Sequence, residues 1–166
     1  MDLIHHYSYF GLLTLIFVEE AGVPSPIPSD LLIAAVSSFS NSNYFLIVGI
    51  VVFSASVGST ILFTLARKFG HSALHKYGKY VKITPEKIAK MEKWFEKYGG
   101  FAILIGRLIP GLRIVTPFVA GLFKVDYKVF WIYTTISAFI WANIYFVIGR
   151  FFAEIIPKIS VLLHHY

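Results

Sequence analysis

The chain has 166 residues, of which 57% are hydrophobic and 14% charged, and its mean hydropathy is +0.69. Soluble domains are nearer half apolar and a quarter charged, so this composition excludes an ordinary soluble fold and indicates an integral membrane protein. The net charge of +6 is concentrated in residues 67–98, which is typical of a cytoplasmic loop beside anionic headgroups and not of a nucleic-acid interface.

The first hydrophobic stretch is too short to cross a membrane. Residues 9–18 form an apolar arm of about ten residues, which as a helix reaches ~15 Å, half of a ~30 Å hydrocarbon core. A break rich in proline and acidic residues follows, and a short apolar arm then returns to about Phe39. The pattern predicts a re-entrant helical hairpin, because irregular backbone at membrane depth must be covered by protein or water. The residues of the break are Glu19, Glu20, Pro24, Pro26, Pro28 and Asp30.

An uninterrupted apolar run at 44–66 is long enough to cross the hydrocarbon core once, and it ends at Arg67. Small residues near the middle of this span are predicted to allow close helix packing. They are Ser54, Ser56, Gly58 and Ser59.

The basic linker, about 71–98, contains a predicted amphipathic helix. Thr84 and Pro85 are typical of a helix start, and Gly99 followed by Gly100 is typical of a helix end. Lysines cover the remainder of the helix, so we expect it to lie in the membrane interface. The apolar residues on its other face are Ile88, Met91, Phe95 and Tyr98.

The second half of the chain repeats the pattern of the first. A short apolar arm from Phe101 is followed by a break, a return arm to about Lys124, and an apolar span at 129–149 that ends in Arg150. This predicts a second re-entrant hairpin and a second transmembrane helix. The residues of the break are Arg107, Pro110, Gly111, Arg113 and Pro117.

The repetition predicts an all-α membrane fold built as an inverted repeat within a single domain. A hairpin that returns to its own side adds no crossing, so each half crosses once and the second half must be inverted. We place repeat 1 at about 7–70, repeat 2 at about 99–152 and a C-terminal tail at 153–166. Inverted repeats with broken helices are frequent in secondary transporters, with the substrate site at the repeat interface.

Five charged residues lie within the two hairpins: Glu19, Glu20, Asp30, Arg107 and Arg113. A charge inside a membrane is costly unless it is paired, hydrated or functional, and tips that meet would pair the acids with the arginines. The arginines are predicted to bind a phosphate, because a guanidinium can donate two parallel hydrogen bonds to it. The acids are predicted either to take up protons for coupling or to serve as counter-ions. For Glu20, and also for Arg107 and Arg113, a position at headgroup depth is a further alternative.

Other chemistry has little support in the sequence. No Ser/His/Asp order, GxSxG pattern or Walker motif is present, so we expect neither an enzyme nor a cofactor site. His71 and His75 are one helical turn apart, but no third ligand is nearby, and the absence of cysteine removes thiolate ligands. We therefore predict no metal site.

These segments resemble the DedA family, also described as SNARE-associated or VTT-domain membrane proteins. The resemblance is carried by the acidic, proline-rich segment 17–30, by residues 66–70, by the Gly-Arg-x-x-Pro-Gly-x-Arg segment within 95–121, and by Trp141. It covers nearly the whole chain. It implies two facing re-entrant hairpins and a role in moving lipids across the membrane: undecaprenyl phosphate in some members and phospholipids in others, often in dependence on the proton-motive force.

The resemblance also assigns residues. The essential acids of the family fall on Glu19, less directly Glu20, and on Asp30, and its essential arginines fall on Arg107 and Arg113. The chain departs from the family pattern at three positions, which bear on the substrate and the coupling ion. Ser59 stands where many members have Asp, Ile114 where Thr is common, and Thr134 where Asn is common.

The sequence therefore predicts a multi-pass protein of the cell membrane (plasma or inner) that transports a lipid phosphate as a flippase, with proton coupling. Membrane lipids are the expected partners, and a homodimer is left open. The alternatives are a passive phospholipid scramblase and a non-transporting scaffold or chaperone-like protein.

The first test concerns topology. We predict that 67–98 is cytoplasmic and that 39–44 and both termini lie outside. Because the chain has no cysteine, Ser42→Cys and Lys82→Cys can each be labelled with an impermeant thiol reagent from one side of the membrane at a time. The two positions should react from opposite sides. Labelling of both from the same side would contradict a single span between them.

Overall fold

The computed structural model describes residues 2–25, 27–77 and 84–163, and the regular secondary structure of these residues is entirely helical. The helices are α1 (Asp2–Glu20), α2 (Ser29–Ser38), α3 (Tyr44–Tyr77), α4 (Pro85–Tyr98), α5 (Phe101–Leu108), α6 (Val115–Leu122) and α7 (Tyr127–Leu163). Two segments, Tyr44–Gly70 and Tyr127–Ile155, are long and apolar enough to cross a membrane. They contain the two predicted spans.

The two long helices α3 and α7 pack against each other in antiparallel orientation. Near the start of α3, the hydroxyl of Tyr44 donates to Asn143 Oδ1 at 2.7 Å, and its ring meets that of Phe146 edge to face. Further along α3, the ring of Phe63 stacks on that of Phe130, with 4.1 Å between centroids. The start of α3 therefore lies beside the later part of α7, and the later part of α3 lies beside the start of α7.

The first helical pair, α1 and α2, enters and returns at the same end of α3. At this end, the hydroxyl of Tyr9 accepts a hydrogen bond from the Asn43 backbone N–H. The C-terminal end of α1 lies against the middle of α3, where a Cβ on Gly58 would stand 2.6 Å from the carbonyl oxygen of Phe17. Helix α1 is longer than the predicted arm because it begins at Asp2.

In the second helical pair, α5 and α6, it is α5 that packs on α7, as α1 packs on α3. Gly100, just before α5, lies against the first turns of α7, where a Cβ would meet the side chains of Val129 and Tyr133 at 2.5 Å. The break that follows spans residues 109–114, and α6 then returns with every residue from Val115 to Gly121 buried.

The proline and glycine residues predicted to break the hairpins have different positions. Pro24 and Pro28 lie between α1 and α2, while Pro26 lies outside the described residues. Pro110 and Gly111 lie in the second break, and Gly111 has a φ of 82°, which glycine adopts without strain. The prediction for Pro117 is wrong. It lies in the first turn of α6, where a missing N–H removes no hydrogen bond that a helix start would make.

Each returning arm packs on the long helix of the opposite half. A Cβ on Gly121 of α6 would overlap the carbonyl oxygen of Phe63 in α3, and one on Gly149 of α7 would overlap that of Ala34 in α2. These contacts are therefore possible only because glycine lets the two backbones approach closely.

The two arginines that end the predicted spans also contact the returning arms of the opposite half. Arg67 donates to the backbone carbonyl of Val125, just after α6, and its guanidinium lies over the ring of Tyr127 at 4.9 Å. Arg150 donates to the carbonyl of Phe39, just after α2, at 3.4 Å. Each arginine therefore holds the end of a returning arm from the other half.

The linker and the tail differ partly from the prediction. Helix α3 continues beyond residue 70 after a non-helical backbone at Gly70, and the predicted tail is helical as far as Leu163. The predicted bounds of α4 are confirmed. A hydrogen bond from the Thr84 side chain, and then one from its own backbone N–H, lowers the pKa of the exposed Glu86 below its ordinary value.

The apolar face of α4 is described only in part. The ring of Phe95 meets that of Phe123 at 5.9 Å, so this face packs on the end of α6. The side chains of Ile88 and Met91 lie outside the described set.

The second test concerns the close approach of arms and spans. We expect Gly121→Ala to lower the free energy of unfolding by about 1–3 kcal/mol, because its methyl group overlaps backbone that cannot move away cheaply. Gly49→Ala is the matched control, since a Cβ at this position of α3 meets nothing within 4 Å. Thermal unfolding in detergent measures both. Equal stability of the two variants would contradict the contact.

Candidate functional site

The two breaks meet, and the guanidinium of Arg113 contacts all three acids of the first hairpin. Its Nη2 lies 2.9 Å from Glu19 Oε1, its Nε 3.1 Å from Glu20 Oε1, and its Nη1 2.9 Å from Asp30 Oδ1. The pairing of acids from one half with arginines from the other, expected from the cost of buried charge, is thus observed.

Arg107 and Glu20 form the most deeply buried pair. Their closest approach is 3.0 Å, between Arg107 Nη2 and Glu20 Oε2, and both side chains are 1% exposed. The distance is that of an ion pair, but the groups are not aligned as a hydrogen bond. Arg107 Nε donates to Ser137 Oγ at 3.1 Å, whereas Nη1 has no hydrogen-bond partner among the described residues. Glu20 is therefore enclosed by protein and paired.

The start of α2 contributes to the same cluster. The backbone N–H of Ser29 donates to Glu19 Oε2 at 3.2 Å, and its Oγ accepts a hydrogen bond from Arg113 Nη2 at 2.9 Å. The unpaired N–H groups and dipole of a helix start favour a negative charge, so α2 stabilises the Glu19 carboxylate.

Trp141 contacts charges of both signs. Its indole N–H donates to Asp30 Oδ1 at 2.7 Å, and its ring face lies 4.0 Å from the centre of the Arg113 guanidinium. In the sequence, Trp141 stands out only as part of a family pattern, and nothing there assigns Ser29 or Ser137 to the site. The signal for these residues was a polar or amphipathic side chain within an otherwise apolar segment.

A cavity of about 230 Å³ opens beside the charged cluster. Among the residues at its rim, Leu108 and Ile144 are apolar and exposed, 36% and 47% respectively, so the mouth is apolar while the interior is charged. The polar or charged residues of the lining are Glu19, Asp30, Arg107, Arg113, Trp141 and Tyr145.

The small residues of α3 support close packing, as the sequence predicted. Gly58 meets α1, and Ser59 is fully buried with its hydroxyl donating to the Ala55 carbonyl at 2.6 Å. The hydroxyl of Ser59 thus forms its hydrogen bond within its own helix. Ser59 adds no charge at a position where many family members have Asp. Thr134, another departure, is buried with its hydroxyl unpartnered among the described residues.

Possible metal ligands do not cluster in the part of the chain that the structure describes: no group of three His, Cys, Asp or Glu could hold an ion. The side chains of His71 and His75 lie outside that part.

In this fold, two helical hairpins with opposite charges meet between two long apolar helices. This arrangement is that of a helical membrane protein. The family model of the VTT domain matches residues 27–151. The chain therefore belongs to the VTT-domain family, which includes the DedA proteins.

Three relatives illustrate the similarity. The uncharacterized membrane protein YbfM of Bacillus subtilis is 33% identical, over 90% of this chain and 93% of its own length. Protein DedA of Escherichia coli is 29% identical over 93% of this chain and 74% of its own. Undecaprenyl phosphate transporter A of Staphylococcus aureus is 24% identical over 99% and 84%. No solved structure matches the chain.

The third test concerns the buried pair. Arg107→Gln should lower the free energy of unfolding by about 3–5 kcal/mol, because it leaves the Glu20 carboxylate buried beside fewer positive charges. Adding Glu20→Gln removes that charge and should restore part of the loss. Thermal unfolding in detergent of the wild type, both single variants and the double variant gives the coupling energy. Strictly additive losses would contradict a direct interaction between the two groups.

Proposed function

We propose that this protein is a transporter, not an enzyme, and that it moves a lipid phosphate across the cell membrane with its headgroup bound between the two hairpins. The observation that carries the proposal is Arg107 Nη1, a buried cationic donor that has no partner in the described structure and belongs to a side chain lining the cavity. A phosphate oxygen is the kind of acceptor that such a donor lacks.

The shape of the cavity supports a lipid as the substrate. A water molecule takes ~30 Å³ in the liquid, so about 230 Å³ suits a hydrated headgroup but not the chains of a lipid. Since Leu108 and Ile144 at the rim are exposed and apolar, the mouth would face acyl chains. The headgroup would enter sideways while the chains stay in the bilayer.

The arrangement in the membrane is part of the proposal: the hairpins are re-entrant and the halves form an inverted repeat. Three observations support it. The spans α3 and α7 are antiparallel. Each helical pair enters and leaves at one end of its own span, and each returning arm ends beside an arginine of the other half. An inverted repeat of this kind puts the shared site near the midplane.

The charges of the site support proton coupling. Three carboxylates face two guanidinium groups, so one negative charge is in excess when all are ionised. A phosphate would add to this excess and would compete with the acids for Arg113. Proton uptake by Asp30 or Glu19 would relieve both effects, which makes binding of substrate and proton mutually favourable.

The scaffold alternative also has an observation in its favour. All three nitrogens of Arg113 are engaged by protein groups, as they would be if the ion pairs served only to hold the hairpins together. A passive scramblase is the other alternative, and it would move lipid without responding to a proton gradient.

The substrate is most economically tested with undecaprenyl phosphate, because the relative from Staphylococcus aureus is named as its transporter. The fourth test uses proteoliposomes that contain this lipid, or phosphatidylethanolamine with phosphatidylglycerol, with and without an imposed proton gradient. We expect gradient-dependent movement of the lipid phosphate. Arg107→Lys keeps the charge but loses the planar fork, so flux should fall about tenfold or more.

The acid variants separate coupling from binding. Asp30→Asn and Glu19→Gln mimic the protonated acids, so they should still bind lipid phosphate but lose dependence on external pH. Asp126→Asn is the matched control, since Asp126 is exposed and only caps the start of α7, a role that Asn fills equally well. Flux that ignores the gradient would favour the scramblase. Absence of flux with any lipid would favour the scaffold.

A further inference from the structure

We propose that Trp141 is a positioning residue that couples protonation of Asp30 to release of Arg113. The inference rests on the proposed function, because Arg113 needs to be released only if a phosphate is to bind it. It assigns a role to a residue whose contacts join the two kinds of charge in the site.

The geometry gives Trp141 two separate interactions with one ion pair. Its indole N–H donates to Asp30 Oδ1, the same oxygen that accepts from Arg113 Nη1. Its ring face attracts the Arg113 guanidinium from 4.0 Å. Tryptophan combines an N–H that only donates with the aromatic face that binds cations best, so a single side chain makes both contacts.

The position of Trp141 is fixed by its surroundings. It is 5% exposed, packs in the apolar core that α1, α2, α3 and α7 share, and meets the ring of Tyr145 edge to face at 6.3 Å. Because this packing fixes the indole ring, the ring can in turn fix the positions of Asp30 and Arg113. It thereby holds Asp30 and Arg113 against each other.

The charged and titratable groups around Asp30 come from every neighbouring element. Glu19 and Glu20 lie at the end of α1, Arg107 in α5, Arg113 in the following break, and Tyr145 in α7. The two glutamates oppose a charge on Asp30, while the arginines, the indole N–H and the neighbouring Tyr145 hydroxyl favour it.

A proton on Asp30 changes this balance. The neutral carboxyl group attracts Arg113 weakly, so the guanidinium loses one of its three acidic partners while the tryptophan ring remains beside it. Arg113 can then turn towards the cavity that Arg107 also lines, and the two arginines can share a phosphate. Trp141 thus sets the pH at which the exchange occurs.

One experiment tests the coupling without any ligand. Trp94→Phe with Trp131→Phe leaves Trp141 as the single tryptophan of the three in the chain. Its emission is then followed against pH in detergent. We expect a transition as its carboxylate partner is protonated, and we expect Asp30→Asn in the same background to abolish it. A flat titration, or a transition that survives Asp30→Asn, would overturn the proposal.

A second experiment measures the consequence for binding, with farnesyl phosphate as the probe. Trp141→Phe keeps an aromatic ring but removes the donor, so the ionised form of Asp30 loses a hydrogen bond. The pH midpoint of binding should move up by about one unit. Trp131→Phe is the matched control, because Trp131 is exposed on the same helix and has no contact with the cluster.

The outcomes distinguish this inference from the proposed function. An unshifted midpoint in Trp141→Phe would overturn the positioning role even if the wild type binds and transports. Failure of the wild type to bind the probe would count against the proposed function, and the ligand-free fluorescence titration would still decide whether Trp141 responds to Asp30.

Discussion

The fold depends on the cost of taking charge out of water. Two guanidinium groups and three carboxylates lie between apolar helices, and each would be prohibitively costly there alone. Because the acids belong to one hairpin and the arginines to the other, neither hairpin can be buried without its partner. The contact between Arg113 and Glu19, Glu20 and Asp30 therefore fixes how the two tips meet and which way they face each other.

Close backbone packing makes that contact possible. Gly58 lets the end of α1 approach α3, while Gly121 and Gly149 let each returning arm approach the span of the other half. Arg67 and Arg150 then satisfy the carbonyl groups at the ends of those arms. The two halves are thus interlocked through backbone, and the charged cluster lies where the interlocked parts meet.

The two arginines are not equivalent in their contacts. Arg113 is saturated by its acidic partners, whereas the buried Nη1 of Arg107 has no hydrogen-bond partner among the described residues. Under the proposed function, protonation of an acid would change the charge beside Arg113 without moving a helix. Trp141 contacts Asp30 and Arg113 together.

The sequence by itself determined the helical elements and the kinds of residue that lie in the breaks. Apolar length marked the spans in α3 and α7, and Thr84, Pro85 and Gly99 marked the bounds of α4, because these signals act within a few residues of each other. It also identified the five charged residues of the cluster, since a charge within a short apolar hairpin stands out whatever the fold. Pro117 was misassigned because a proline has the same local signature in a break and in the first turn of a helix.

Only the tertiary structure decided which charges pair and how many partners each arginine has. Arg107 and Arg113 look alike in sequence, yet one is left with a free donor and the other is saturated, because that depends on where α1 and α2 bring their side chains. Trp141 and Asp30 are 111 residues apart, and no local pattern relates residues so distant. Contacts of this kind exist only once the two halves have packed, which is why the sequence could name the groups of the site but not their arrangement.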